Sequence, residues 1–189
     1  MIYLTSVRIM VAVLAITLAA PVYAAKWRSI PADSSLEFVV TFEGAESTGK
    51  FEIFNAELGF EAESIDTSSL RVIVDVRSAT MSSADLDEAM SEKTWFDSAA
   101  YPQADFNSTM FRQTGKQEFL AQGQVSIKGV ARELALPLTI SIEGDQMELS
   151  GKVTLSRVDF GIGTGEWESD SSIAHSVDVR FKLLMHRVD

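Results

Sequence analysis

Apolar and polar residues alternate with period two along most of this chain, the signature of strands with one buried and one wet face. The run "LEFVVTF" puts Leu36, Phe38, Val40 and Phe42 on one side. In "GKFEIFNAELGF" the apolar set starts with Phe51 and Ile53, then changes parity to Phe54, Ala56, Leu58 and Phe60. A parity change inside one run predicts a bulge where the strand bends. "LRVIVDV" contributes Leu70, Val72, Val74 and Val76, "DFNSTMF" contributes Phe106, Ser108 and Met110, and "EFLAQGQVSI" contributes Phe119, Ala121, Val125 and Ile127. "ELALPLTISI" aligns Leu134, Leu136, Leu138, Ile140 and Ile142, and "MELSGKVTL" aligns Met147, Leu149, Val153 and Leu155. "IAHSVDVRFKL" closes the series with Ile173, Val177, Val179, Phe181 and Leu183. These runs make about eight strands, joined by turn signals such as Lys128-Gly129 and Glu143-Gly144-Asp145. One apolar face per strand predicts an all-β barrel or sandwich around a single interior. Pro137 lies inside one run, has no N–H to give a neighbour, and so predicts a free edge or a bulge there.

One segment breaks the pattern. In "SSADLDEAMSEKTWFD", serines precede acids at Asp85, Asp87 and Glu88, a helix start with carboxylates in its first turn. Leu86, Met90, Trp95 and Phe96 give it an apolar side, so a short helical connection is expected near residues 82–96. It runs into "TWFDSAAYPQADF", dense in aromatics where a connection is normally polar. The expectation is that this segment covers one end of the barrel, with Trp95 and Phe96 touching its interior.

Composition narrows the class. The first residues read as a secretory signal peptide, residues 1–24: Arg8, the apolar run "IMVAVLAITLAA", then small residues Val22 and Ala24 before the cleavage point. That apolar run is too short to span a bilayer, which needs ~20 residues. The mature domain is then residues 25–189. The chain has a net charge of −11, a poor match for nucleic acid or an anionic membrane surface. It has no cysteine, so disulfides, thiol chemistry and cysteine metal sites are excluded.

Several pieces together resemble the YceI-like, polyisoprenoid-binding family of exported bacterial proteins. They are Trp27 to Val40, "GKFEIF" at 49–54, "VDVRSATM" at 74–81, "WFDSAAYPQADF" at 95–106, "GQVSIKGVAREL" at 123–134 and "SRVDFGIG" at 156–163. Their order and spacing carry the resemblance, which spans Trp27 to Val188. It implies an extended antiparallel barrel of about eight strands, lipocalin-like, with a long apolar cavity for an isoprenoid chain. Two histidines frequent in relatives are absent here. Asp87-Glu88-Ala89-Met90 stands where a D-x-H-L pattern is usual, and "TFEGAESTG" stands where a His-Leu-Gly segment is usual.

On this reading the lipid-lining set is Phe38, Val40, Phe42, Phe51, Phe54 and Val74 from the first strands, and Met90, Trp95, Phe96 and Tyr101 from the connection. Met110, Val125, Ile127, Leu138, Ile140, Val153 and Phe160 complete it. From alternation alone a core filled by side chains is the favoured account of these positions. Small interior residues, Ala56, Ser108, Ala121 and Gly151, argue for free volume. Arg157 and Asp159 are expected to form an ion pair or a turn contact. "GIGTGEW" lacks G-x-G-x-x-G spacing and a helix after it, so it is not a phosphate loop. No catalytic constellation is visible: on an extended strand, Ser172 and Ser176 face away from His175. Asp85, Asp87 and Glu88 fit a helix N-terminus better than a metal site. The leading class is a soluble periplasmic carrier of isoprenoid lipid or quinone-like molecules, with no metal and no cofactor beyond such a ligand. A homodimer is compatible with it. The alternatives are an enzyme on the same barrel and a small outer-membrane β-barrel, which alternates in the same way.

Overall fold

The computed structural model describes residues 25–81 and 83–188. The leader expected over residues 1–24 lies outside them, as does Ser82. The first strands are β1 (Ala25–Ser29), β2 (Ser35–Phe42), β3 (Ala45–Phe51), β4 (Phe54–Phe60), β5 (Ser69–Asp75) and the short β6 (Ala79–Thr80). Helix α1 (Ala84–Ser91) follows. The remaining strands are β7 (Gln103–Gln113), β8 (Glu118–Ile127), β9 (Val130–Glu143), β10 (Gln146–Ser156) and β11 (Ile173–Val188).

The sheet closes on itself in the order β1-β4-β5-β7-β8-β9-β10-β11, with β11 returning to β1. That is an eight-stranded antiparallel barrel. The long last strand makes closure possible. Its final residues pair with β1 from Ser29↔Met185 to Lys26↔Val188, and its earlier part pairs with β2 from Ser35↔Lys182 to Phe42↔Ile173. β1 and β2 are therefore one stave, broken by the turn Pro31–Asp33. β3 and β4 form the adjacent stave, broken where the parity of the sequence changes. There Phe51 and Phe54 turn inward, while Ile53, grouped with Phe51 by alternation, is thrown outward. The backbone at the break is not idle: the Glu52 N–H donates to the Ser78 carbonyl, and the Asp75 N–H to the Ile53 carbonyl.

A second irregularity overturns one expectation. The register between β7 and β8 shifts between Ser108 and Met110. The extra residue rotates the strand, so Phe111 is buried and Met110 is on the outer surface, 52% exposed. Gly123 permits this approach, since a side chain there would collide with the Asn107 carbonyl.

Pro137 marks a third. β9 pairs with β8 along its length, from Ile127↔Val130 through Leu120↔Pro137 to Glu118↔Thr139. On its other side the ladder to β10 stops at Thr139↔Ser150. Beyond that rung β10 continues on β11 while, among the described residues, β9 has no ladder partner on that side, which leaves a seam in the hydrogen bonding of the wall. A residue without an N–H sits where none is required.

One end of the barrel is solid. Leu58, Met147 and Met185 are completely buried there, and Phe60 meets Phe119 edge-on at 5.5 Å. The outer surface is charged, with ion pairs Arg28–Glu57, Lys50–Glu52, Lys152–Asp178 and Lys182–Glu148 across neighbouring residues.

Candidate functional site: an apolar cavity under a fastened cap

The other end is hollow. A chamber of about 300 Å³ lies beneath α1, and a smaller one of about 130 Å³ continues toward the solid end. They share Ile127, Leu155 and Val179. β2 supplies Phe38, Val40 and Phe42 to the upper chamber, and β3 supplies Phe51. The lower chamber takes Phe54, Val72, Val74, Phe106 and Val125 from one side, Leu134, Leu136, Val153 and Phe181 from the other, and Leu149 and Leu183 toward the solid end. Space in the upper chamber comes partly from Gly49, since the Phe38 ring occupies the position a side chain there would take.

The small residues expected to leave room do not. Ala56 and Ala121 are completely buried and line neither chamber. The space beside Gly151 is filled by the Phe181 ring and the Pro137 carbonyl. Ser108 accepts the Leu70 N–H at 2.7 Å and belongs to the bulge.

The cap starts with α1. Asp85 and Asp87 sit in its first turn, where the exposed N–H groups favour negative charge. Asp87 also accepts from the Met81 N–H and the Thr80 hydroxyl, both at 2.7 Å, and so ties the helix to β6. Leu86, Ala89 and Met90, at helical spacing, face the cavity. The helix ends at Ser91, short of the expected residue 96. Trp95 and Phe96 follow in a turn, where the Glu92 carbonyl accepts from the N–H groups of Trp95 and Asp97, and the Met90 carbonyl from that of Phe96. Asp97 takes a left-handed φ of 49° to make this turn.

That turn is fastened from outside. The Thr94 carbonyl accepts from the N–H groups of Gly163 (2.8 Å) and Thr164 (3.0 Å). Lys128, at the tip of the β8–β9 hairpin, donates to the carbonyls of Lys93 (2.8 Å) and Gly161 (2.7 Å). Burial pushes its ammonium below the ordinary lysine value, with Asp97 opposing. Phe96 meets Phe51 at 6.0 Å, Phe51 meets Phe38 at 5.3 Å, and Trp95 meets Trp167 at 6.0 Å.

Arg157 organises the opposite rim. It is only 3% exposed. Its Nε donates to the Ala174 carbonyl, Nη1 to those of Ile162 and Gly163, and Nη2 to those of Trp167 and Ile173, all between 2.6 and 3.1 Å. A longer contact reaches Ser169. One face of the guanidinium lies 6.0 Å from the Trp95 ring. Burial lowers its proton affinity, with Asp170 opposing, but a guanidinium stays charged through the neutral range. Of the two contacts expected for Arg157, the turn contact is the one present; Asp159 is exposed. "GIGTGEW" thus turns carbonyls toward a cation, the reverse of a phosphate cradle. His175 is occupied similarly, its Nε2 at 2.7 Å from the Glu168 carbonyl.

Of the residues expected to line the site, Phe38, Val40, Phe42, Phe51, Met90, Trp95, Phe96 and Phe160 surround the upper chamber, Ile127 both, and Phe54, Val74, Val125 and Val153 the lower. Leu138 and Ile140 are buried but line neither chamber: they flank the Thr139 rung, beyond Leu136 toward the solid end. Tyr101 joins Met110 on the surface: the chain turns outward after Asp97, and the Tyr101 ring lies over Gly129. Ile162 and Trp167 line the upper chamber unforeseen. Trp167 ends the 3₁₀ turn Gly165–Trp167 and Ile162 lies in the loop before it, both without periodicity, although an aromatic in a connection was the same signal that pointed to Trp95.

Fold and cavity define a closed antiparallel barrel of the lipocalin-like kind, hollow under a helical cap. The chain belongs to the YceI-like family, whose YceI-like domain matches residues 27–185. A UPF0312 protein of Pseudomonas savastanoi pv. phaseolicola is 28% identical over 120 residues, covering 60% of this chain and 62% of that protein. A UPF0312 protein of Vibrio campbellii is 27% identical over 142 residues, 69% of this chain and 73% of that one. Among solved structures, Burkholderia cenocepacia BcnA superposes with a TM-score of 0.81 at 28% identity, over 82% of this chain and 98% of BcnA. A polyisoprenoid binding domain from Saccharophagus degradans superposes with a TM-score of 0.70 at 13% identity, over 87% and 99%.

Proposed function

We propose that this protein is a carrier that holds the apolar chain of an isoprenoid lipid or isoprenoid quinone inside the barrel, and that it works in the periplasm after export through residues 1–24. The carrying observation is the pair of connected chambers whose walls are almost entirely aliphatic and aromatic. Such a cavity recognises a ligand by length and shape, with few polar contacts. The fold it shares with the polyisoprenoid binding domain of Saccharophagus degradans supports the choice of chain. The role is non-enzymatic: His175 and Arg157 are committed to backbone carbonyls. An outer-membrane barrel would carry its apolar face outward; here the apolar face is inside and the ion pairs are outside.

The test is native extraction. Protein purified without detergent should release an isoprenoid lipid into organic solvent, identified by mass spectrometry. Delipidated protein should take one up again. Wild-type protein that carries no lipid and binds none would end this reading. The exported form should begin at Ala25; an intact Met1 in the periplasmic fraction would overturn the export proposal.

A further inference from the structure

We propose that the head group of the bound lipid is uncharged, and that the site rejects anionic lipids carrying the same tail. The inference rests on the tail-binding role just proposed and adds the chemistry of the other end.

The upper chamber presents one charged group, Arg157. A free guanidinium there would be an obvious partner for a phosphate or carboxylate. This one is not free. It has five N–H donors, and each is directed at a backbone carbonyl: Ala174, Ile162, Gly163, Trp167 and Ile173. An anion could gain a donor only by stripping one from a carbonyl, which then loses its own partner. The lower chamber is no kinder: Asp105 alone of its wall residues is charged, its carboxylate lies on the outer face and accepts from the Asn107 amide, and the lining offers an anion no donor. An anion held in apolar surroundings without a partner loses its hydration and gains nothing in return.

The head group could instead stay outside. The mouth lies where wall residues are also open to water, at Phe42 and Leu86, 41% and 47% exposed. Its flanks are acidic. Glu43 follows Phe42, Asp85 precedes Leu86, Glu88 stands one turn along α1, and Glu166 and Glu168 bracket Trp167; all five are exposed. The nearby ammonium of Lys128 is bound to two carbonyls, and Lys93 is exposed but lines neither chamber. A phosphate at this mouth meets carboxylates within a Debye length of ~8 Å at physiological salt. Both positions open to the head group thus select against negative charge. A hydroxyl or a quinone ring suffers neither penalty.

The experiment compares two probes with one tail, geranylgeraniol and geranylgeranyl phosphate, titrated into delipidated protein and followed by the fluorescence of Trp95 and Trp167. The alcohol should bind at least about tenfold more tightly at low salt, with the gap narrowing as salt screens the rim. In Asp85→Asn/Glu88→Gln, two exposed positions, the phosphate should gain affinity at low salt while the alcohol does not change. A phosphate that binds as tightly as the alcohol, or more tightly, overturns the charge inference and leaves tail binding standing. Failure of both probes to bind overturns the tail-binding reading itself, and this inference with it.

Discussion

Arg157 shows how one residue can hold a region together without touching another side chain's charge. Its five bonds gather carbonyls from residues 162 to 174, a stretch with few bonds of its own. Lysine has three donors, so Arg157→Lys leaves at least two buried carbonyls unpaired. The expected destabilisation is ~2 kcal/mol or more, read from urea unfolding. Arg157→Met should cost at least as much, and a loss below ~0.5 kcal/mol would mean the loop holds itself. The sequence offered the turn contact only beside an ion pair with Asp159, and the cage itself was not legible, because carbonyl cages leave no side-chain pattern. Met110 teaches the complementary lesson. Alternation reads faces correctly only while the register is unbroken, and the bulge after Ser108 exchanges Met110 for Phe111. The parity change at Phe54 was readable because large apolar residues stand on both sides of the break, Phe51 and Ile53 before it and Phe54, Leu58 and Phe60 after it; the one in β7 was hidden by Ser108 and Thr109, which fit either face.

Elements differ in how firmly they are held, and this decides what can move. The turn carrying Trp95 and Phe96 is fastened to the Arg157 loop and to Lys128, whereas α1 is tied chiefly through Asp87. Lys128→Met removes two bonds from the cap and leaves the barrel ladders intact. Ligand release, measured by stopped-flow transfer to vesicles, should quicken, with a stability loss of ~1–3 kcal/mol. An unchanged release rate would show that the ligand leaves past another element, such as the seam beside β9. Trp95→Ala with Phe96→Ala should lower the lipid that co-purifies more than it lowers the melting temperature; a folded double variant with its full load would make the pair a simple anchor. The β10–β11 ladder carries a pH signature. Lys152 and Thr154 both donate to Asp178 at 2.6 Å and hold its carboxyl below the usual aspartate value. A depressed carboxyl stabilises the fold above its unfolded-state pKa, and that contribution is lost as pH falls through the lower, folded-state value. Asp178→Asn should therefore melt below the wild type at neutral pH, and the two should converge once the pH has fallen below the lowered folded-state value. A difference that persists in acid would assign the effect to shape, not charge.

At the scale of the whole molecule, the architecture was legible and the division of its interior was not. Eight staves, one helix and a covered end follow from alternation, from turn residues and from one misplaced cluster of aromatics. Filled core and cavity were competing accounts of the same alternation, and the barrel uses both, one at each end. The boundary falls near Leu149 and Leu183, which face the lower chamber on one side and approach Met147 and Met185 on the other. It sets a length. From Leu183 to Ile173 along β11 is about ten residues, or ~30 Å at ~3.3 Å per residue. An isoprene unit adds four chain bonds, against three for a peptide residue of ~3.6 Å, so each extended unit spans ~5 Å. The chambers then accept ~six units before the tail meets the solid end. Each methylene buried contributes ~0.8 kcal/mol gross, partly offset by ordering the tail, so affinity should climb with each added unit and level off near the sixth. Leu149→Ala, at the boundary, should move that plateau to longer tails while costing ~2–5 kcal/mol of stability. Binding curves for a series of prenyl alcohols on both proteins decide the matter: a wild-type affinity that keeps rising well beyond six units would mean the solid end opens, and a plateau that ignores the Leu149 substitution would place the end of the tail elsewhere.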